Sequence, residues 1–299
     1  SMYPFGRGIA RHLPLALLMI PLLLYVVFAF GPSMATVFFS FTDATGIPGV
    51  RWHFVGFDNY RKLLFSSDQA ERLRSIRNSL EFAFLVVVIQ NAIGLFMAVL
   101  LNRKLKGDAF YRATFFLPVV LGVTVSGLVW RMMLNPMSGP MGELFKLFGA
   151  RSNFLSSYDA AFYWIIFVQI WMYMGYSMTI FIAGLQSIPR DLYDSGHIDG
   201  ASGWKAFRYI TFPMIAPAVT VNTLLSIIGA LQTFDIIYVL TNGGFNTRTL
   251  ALDVYRDAIA NNTTADYGLA SAGAMVLFLF VFVFTVVFMY LLRRREVDL

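Results

Sequence analysis

Ser187-Ile-Pro-Arg-Asp-Leu-Tyr-Asp-Ser-Gly-His-Ile-Asp-Gly-Ala-Ser-Gly-Trp-Lys-Ala-Phe-Arg-Tyr-Ile-Thr-Phe-Pro213 interrupts an otherwise greasy chain, and the architecture turns on it. Ser187 can cap a helix, Pro189 suits a first helical turn, and Asp191 and Asp194 favour the positive end of a helix dipole. A short helix is therefore predicted over Pro189 to Ser195. Gly196 and Gly200 permit a tight bend after it. Trp204, Phe207 and Ile210 then recur at helical spacing and predict a second short amphipathic helix that stops before Pro213. A helix–turn–helix outside the membrane, with exposed aromatics and a glycine corner, is either a docking surface for another protein or an interfacial element resting on lipid. The residues alone allow both.

On either side of this segment the sequence is apolar. The chain of 299 residues is 58% apolar and 13% charged, too few polar side chains to cover a water-facing surface. Six runs are long enough to cross a bilayer: Leu13 to Phe41, Leu80 to Leu101, Ala113 to Leu134, Ala160 to Leu185, Phe212 to Leu240 and Leu269 to Leu292. The first is too long for a signal-peptide core and passes Pro21 and Pro32 without a small-residue cleavage site, so it reads as a retained span. Arg103, Lys104, Lys106 and Arg112 in one short connector, and Arg293-Arg294-Arg295 at the tail, place those segments in the cytoplasm. The N-terminus, with Arg7 and Arg11, then falls on the same side. Residues 42–79 run against the rule, because an outer loop there carries Arg51, Arg61, Lys62, Arg72, Arg74 and Arg77 against Asp43, Asp58, Asp68 and Glu71. The net charge of +6 fits basic loops beside anionic lipid rather than nucleic-acid binding.

Catalytic equipment is missing. With no cysteine there is no disulfide, thiol nucleophile or cysteine-ligated metal. None of Lys62, Lys104, Lys106, Lys146 and Lys205 follows a glycine, so no P-loop is present and the chain does not bind ATP that way. His12, His53 and His197 are scattered, without metalloprotease spacing, and no metal site is expected. Asp199-Gly200-Ala201 opens like a CDP-alcohol phosphotransferase motif, but the following Arg and the later aspartate pair are absent. Asp235 is the one acid placed to serve an ion-coupled carrier, against the simpler reading of a helix-end residue at the outer mouth. Glu81 and Arg131 lie close enough to span ends to reach the interface.

Two spans carry polar stripes. Gln169, Tyr173 and Tyr176 follow helical spacing on the fourth span, and Asn222, Ser226, Gly229 and Thr233 do so on the fifth. Amides and hydroxyls beside aromatic rings suit a neutral polyhydroxylated solute, and neither stripe offers the Arg or Lys that an anion would want. The competing reading, strongest for Ser226 and Gly229, is that small and polar residues simply pack or bond helices together.

The spacing Asp194-Ser195-Gly196, Gly200, Ile210, Phe212-Pro213 resembles the EAA loop of binding-protein-dependent ABC importer permeases, with Asp for Glu and Ser-Gly for Ala-Ala. Ala183 to Tyr193 and Ile198-Asp-Gly-Ala201 resemble the carbohydrate-uptake branch of that family. So do Phe54-Val-Gly-Phe-Asp-Asn-Tyr60, Phe115-Phe-Leu-Pro118, Trp130-Arg131 with Asn135-Pro136, Phe234 to Gly244, and Tyr267 to Ala272. The Phe234 to Gly244 stretch is similar to the larger permease type of maltose, glycerol-3-phosphate and lactose transporters. The resemblance implies one all-α permease domain over residues 1–299, with six transmembrane helices of the type I importer kind and a cytoplasmic coupling helix in the 187–213 loop. It implies a non-catalytic subunit in a prokaryotic cell membrane, embedded in lipid and binding no cofactor itself. Its partners would be a second and different permease, two ATPases holding ATP and Mg, an extracytoplasmic binding protein and a sugar. The alternative to this ATP-driven function is a secondary carrier or channel half. Asp194, Ser195, Gly196, Asp199, Gly200 and Ala201 are the implied ATPase-coupling residues, with Gly200 as the close-approach corner. Val119, Val123, Gln169, Tyr173, Tyr176, Gly229, Ala230 and Thr233 are the implied pathway residues, and the fifth-span stripe adds Asn222.

Overall fold

The computed structural model describes residues 17–47, 49–65, 69–102, 107–149, 153–260 and 266–294. The start of the first run at Leu13 and the basic residues Arg7, Arg11, Arg103, Lys104, Lys106 and Arg295 lie outside the described residues. The described chain is helical: α1 (Leu17–Phe39), α2 (Asp58–Phe65), α3 (Gln69–Leu101), α4 (Asp108–Leu121), α5 (Val123–Met133), α6 (Pro140–Leu147), α7 (Ala161–Gln186), α8 (Arg190–Ile198), α9 (Trp204–Met214), α10 (Ala216–Gln232), α11 (Asp235–Thr241), α12 (Leu250–Tyr255) and α13 (Tyr267–Arg293). Among the described residues the only β pairing is two isolated bridges, Thr42 with Phe54 and Thr45 with Asp266.

Four helices, α1, α3, α7 and α13, are long and apolar enough to cross a membrane, and six spans result if each of two bent pairs is counted as one. The bent pairs fall on two of the expected spans. Over 113–134 the chain turns by 99° at Gly122, whose φ of 74° belongs to glycine, with Pro118 already weakening α4 one turn earlier. Over 212–240 it turns by 67° at Ile215, between Pro213 and Pro217, and α10 then ends at extended Thr233 before α11 restarts. Helical structure also continues through Pro213 instead of stopping before it, because the preceding Phe207–Thr211 turn widens into a π-helix.

Packing divides the chain into two units, one within Ser1–Ser66 and Arg256–Met275, the other within Ser67–Tyr255 and Val276–Leu299. In the first, the buried amide of Asn59 donates to the carbonyls of Ser40 (3.0 Å) and Thr42 (2.7 Å), and the Tyr60 hydroxyl donates to Ser40 Oγ (2.8 Å). This explains the Asn-Tyr pair that ends the Phe54 to Tyr60 motif: it satisfies the orphan carbonyls where α1 ends. Asp43 accepts the backbone N–H of His53, which holds its carboxyl below the usual range.

The second unit is built round α7, whose most apolar window is 61% buried, against none for α1 and α13. A core of Phe82, Val86, Trp130, Phe162, Ile165, Leu231 and Ile236 fills one end. Leu101, Met178, Phe181, Leu185, Ile188 and Ile215 fill the other. Gly94 and Gly175 let α3 and α4 approach α7 backbone to backbone, the small-residue packing that membrane helices use.

Candidate functional site

Four helices of the second unit enclose a cavity of about 390 Å³. Val86 and Gln90 of α3, Val119 of α4, Gln169, Tyr173 and Tyr176 of α7, and Leu225, Ser226, Gly229, Ala230 and Thr233 at the end of α10 line it. Seven of the nine pathway positions named above meet here: Val119, Gln169, Tyr173, Tyr176, Gly229, Ala230 and Thr233. Val123 and Asn222 are not in the lining. On a straight helix Val119 and Val123 would share a face, but the break at Gly122 falls between them and packs half-buried Val123 against the hydrophobic core. Asn222 is fully buried and donates to Asn91 Oδ1 at 2.7 Å, so its polarity serves helix packing.

That packing extends to residues the sequence did not mark. Gln90 Nε2 donates to Ser177 Oγ at 2.8 Å and approaches Ser226 Oγ at 3.4 Å, tying α3, α7 and α10 together beside the cavity. Its signal is an amide beside Asn91 in a long apolar run, legible only as a buried polar group needing a partner. Gln90→Leu is expected to strip Ser177 of its interhelical donor, with Ser226 still reached by Asn91 Nδ2 at 3.3 Å, and to cost about 1 kcal/mol, read as a lowered thermal midpoint in detergent.

Thr233 Oγ1 donates to the Gly229 carbonyl at 2.7 Å, and Gln169 Nε2 reaches Thr233 Oγ1 at 3.5 Å. The hydroxyls of Tyr173 and Tyr176 make no hydrogen bond among the described residues and stay available to a solute. Among the described residues no charged side chain lines the cavity. The chemistry on offer is therefore neutral hydrogen bonding beside two aromatic rings. Asp235 begins α11 and accepts the N–H of Ile236 at 2.9 Å, a helix-start role.

The second feature is the hairpin between α7 and α10. Ser187 closes α7, its hydroxyl bonded to the Gly184 carbonyl at 2.8 Å, so the cap of α8 is Pro189 and not Ser187. α8 runs to Ile198, three residues beyond the expected end, and Gly196 lies inside it rather than at the bend. The bend is at Gly200. Its N–H bonds the His197 carbonyl (3.1 Å), the Ala201 N–H bonds the Gly196 carbonyl (2.7 Å), and Gly200 takes φ 75°: a Schellman ending. At Gly196 a Cβ would overlap the Ile210 side-chain tip, while among the described residues nothing lies within 4 Å of a Cβ at Gly200. Asp194, Ser195 and Asp199 are exposed. Ile198, 88% exposed, and Trp204, 73% exposed, belong to the same hairpin.

Residues 90–297 match the profile of the family described as "Binding-protein-dependent transport system inner membrane component". The chain belongs to that family. This permease is 32% identical over 99% of its length to the probable starch degradation products transport system permease protein AmyD of Thermoanaerobacterium thermosulfurigenes, of which 98% is covered. It is 34% identical to the trehalose/maltose transport system permease protein MalF of Thermococcus litoralis, covering 94% of each chain. It is 30% identical to the sn-glycerol-3-phosphate transport system permease protein UgpA of Agrobacterium fabrum, covering 89% of this chain and 90% of that one. Among solved structures, a chain of the bacterial alginate ABC transporter, crystallised with an alginate pentasaccharide-bound periplasmic protein, shares the fold of this permease. The TM-score is 0.82 at 21% identity, over 96% of each chain. Membership decides between the importer and the secondary carrier in favour of the importer.

Proposed function

We propose that this permease is one half of the translocation pathway of an ATP-driven importer for a neutral sugar or related polyol, working by alternating access. The observation that carries the reading is the uncharged cavity in which Gln169, Thr233 and two free tyrosine hydroxyls converge. The starch-product and trehalose/maltose names of its relatives support the same solute class. In this reading residues 1–299 form a single permease domain that crosses a prokaryotic cell membrane six times, with both termini in the cytoplasm. Its partner is a second, different permease, and an extracytoplasmic protein delivers the solute.

The α8 hairpin is the coupling element. Asp194, Ser195, Asp199, Gly200 and Ala201, with Ile198 added, face an ATPase subunit, while Gly196 sets the spacing of the hairpin arms. Two such ATPases hold ATP and Mg and supply the energy, so this chain binds no cofactor and catalyses no reaction. Their closure moves α8 as a rigid lever, and the hydrophobic cluster that joins Ile188 and Ile215 to α7 and α3 passes that movement to the cavity wall.

The test is uptake of radiolabelled maltose, trehalose and glycerol 3-phosphate by the complete transporter in proteoliposomes. Gln169→Ala and Thr233→Val are each expected to cut uptake of the transported neutral sugar roughly tenfold, about the worth of one or two buried hydrogen bonds. Uptake of glycerol 3-phosphate alone, untouched by either change, would overturn the neutral-solute reading.

A further inference from the structure

A second cavity of about 390 Å³ lies at the opposite end of the same unit from the α8 hairpin. It is formed by the start of α3 and the 242–248 loop, with Tyr158 at its rim. From Asn78 to Gln90 is 12 residues along α3, placing this cavity about 18 Å from the membrane cavity. On the orientation proposed above it opens on the extracytoplasmic side.

Three observations mark it as built. The loop is strained: Asn242, Phe245 and Asn246 all have positive φ, three of the four such non-glycine residues among those described. It is held in that shape from α3, where Asn78 Nδ2 donates to the carbonyls of Asn246 (2.7 Å) and Arg248 (2.8 Å) and Arg74 donates to Asn246 Oδ1 (2.6 Å). Arg248 pairs with Glu71 and, at 3.6 Å, with Asp253, so one arginine holds both acids while Arg74 is held by Asn246. Tyr158, 66% exposed, packs edge-on against Phe245 with centroids 5.3 Å apart and keeps a flat apolar face beside these polar groups. Ser75 adds a buried hydroxyl with no partner.

We infer that this cavity is an outer subsite for a neutral polyhydroxylated solute, a waiting position on the way to the membrane cavity. Planar guanidinium, carboxylate and amide groups side by side offer paired hydrogen bonds to vicinal hydroxyls. The exposed tyrosine ring supplies the apolar face on which a sugar ring lies. The inference rests on the proposed sugar-import reading, and its test separates the two.

The test is hydroxyl-radical footprinting of the complete transporter in nanodiscs, without nucleotide or binding protein, titrated with maltotriose, trehalose and glycerol 3-phosphate. A neutral sugar is expected to slow oxidation of both Tyr158 and Tyr173. In Arg74→Gln the concentration that half-protects Tyr158 is expected to rise roughly tenfold, the loss of one hydrogen bond to a charged group, with Tyr173 unchanged. Protection of Tyr173 with Tyr158 unaffected overturns the outer subsite and leaves the import reading standing. Protection of Tyr158 only by glycerol 3-phosphate, or only once the binding protein is added, also overturns it. Protection of neither tyrosine by any of the three removes both. The unsubstituted protein decides these outcomes even if Arg74→Gln disturbs the loop.

Discussion

Gly200→Val is expected to abolish solute-stimulated ATP hydrolysis by the assembled transporter while the permease itself stays folded in the membrane. Gly200 closes α8 at φ 75°, a conformation that costs an ordinary residue about 1–2 kcal/mol and a β-branched one more. Without it the hydrogen bonds from Gly200 and Ala201 cannot both form, and the exposed end that carries Asp199 and Ile198 is redirected. A penalty near 1.4 kcal/mol already means roughly tenfold in productive engagement, and a hairpin that re-forms another turn loses it altogether. Gly200→Asn separates the possible causes, since asparagine tolerates the left-handed region. If Gly200→Asn retains coupled ATP hydrolysis, backbone conformation is what the position supplies. If it fails as Gly200→Val does, the ATPase approaches too closely for any side chain. Full coupling in Gly200→Val would sink the coupling role of this hairpin.

Gly175→Ala should be the more damaging change for the protein as a whole, although it adds only one methyl group. A Cβ on Gly175 would overlap the carbonyl oxygen of Phe115, so backbone meets backbone where α7 crosses α4 and no side chain can rotate away. The helices must separate, at a cost of about 3 kcal/mol or more, the upper range for overpacking. The expected result is loss of monodisperse protein on fluorescence-detected size exclusion and a thermal midpoint too low to measure. Gly229→Ala is the control. Among the described residues nothing lies within 4 Å of a Cβ there, and Gly229 lines the membrane cavity. It is expected to leave the thermal midpoint unchanged and to alter uptake, because the methyl enters the space the solute needs. Equal thermal midpoints for Gly175→Ala and Gly229→Ala would show that the α4–α7 contact is looser than drawn.

The membrane character of α1, α3, α7 and α13 follows from the sequence alone, because a run of apolar residues is hydrophobic whatever surrounds it. The existence of the α8 hairpin follows in the same way, from Pro189, Asp191 and Gly200 acting within a turn or two of themselves. Gln169, Tyr173 and Tyr176 could be grouped because helical spacing places them on one face of one helix. Those properties are local.

Partnership is not local, and there only the tertiary structure decided. Val119 and Val123 part company because the chain turns by 99° between them, and proline and glycine in an apolar run read as a tolerated kink until the neighbouring helices fix the angle. Asn222 and Ser226 sit on the same stripe of α10 and both meet Asn91, yet only Ser226 lines the cavity, according to how α3 lies against α10. Gln90 joins the site from another helix altogether. In lipid no hydrophobic force distinguishes one apolar face from another, so close backbone approach and the pairing of buried polar groups choose the neighbours. Neither is visible until the helices are side by side.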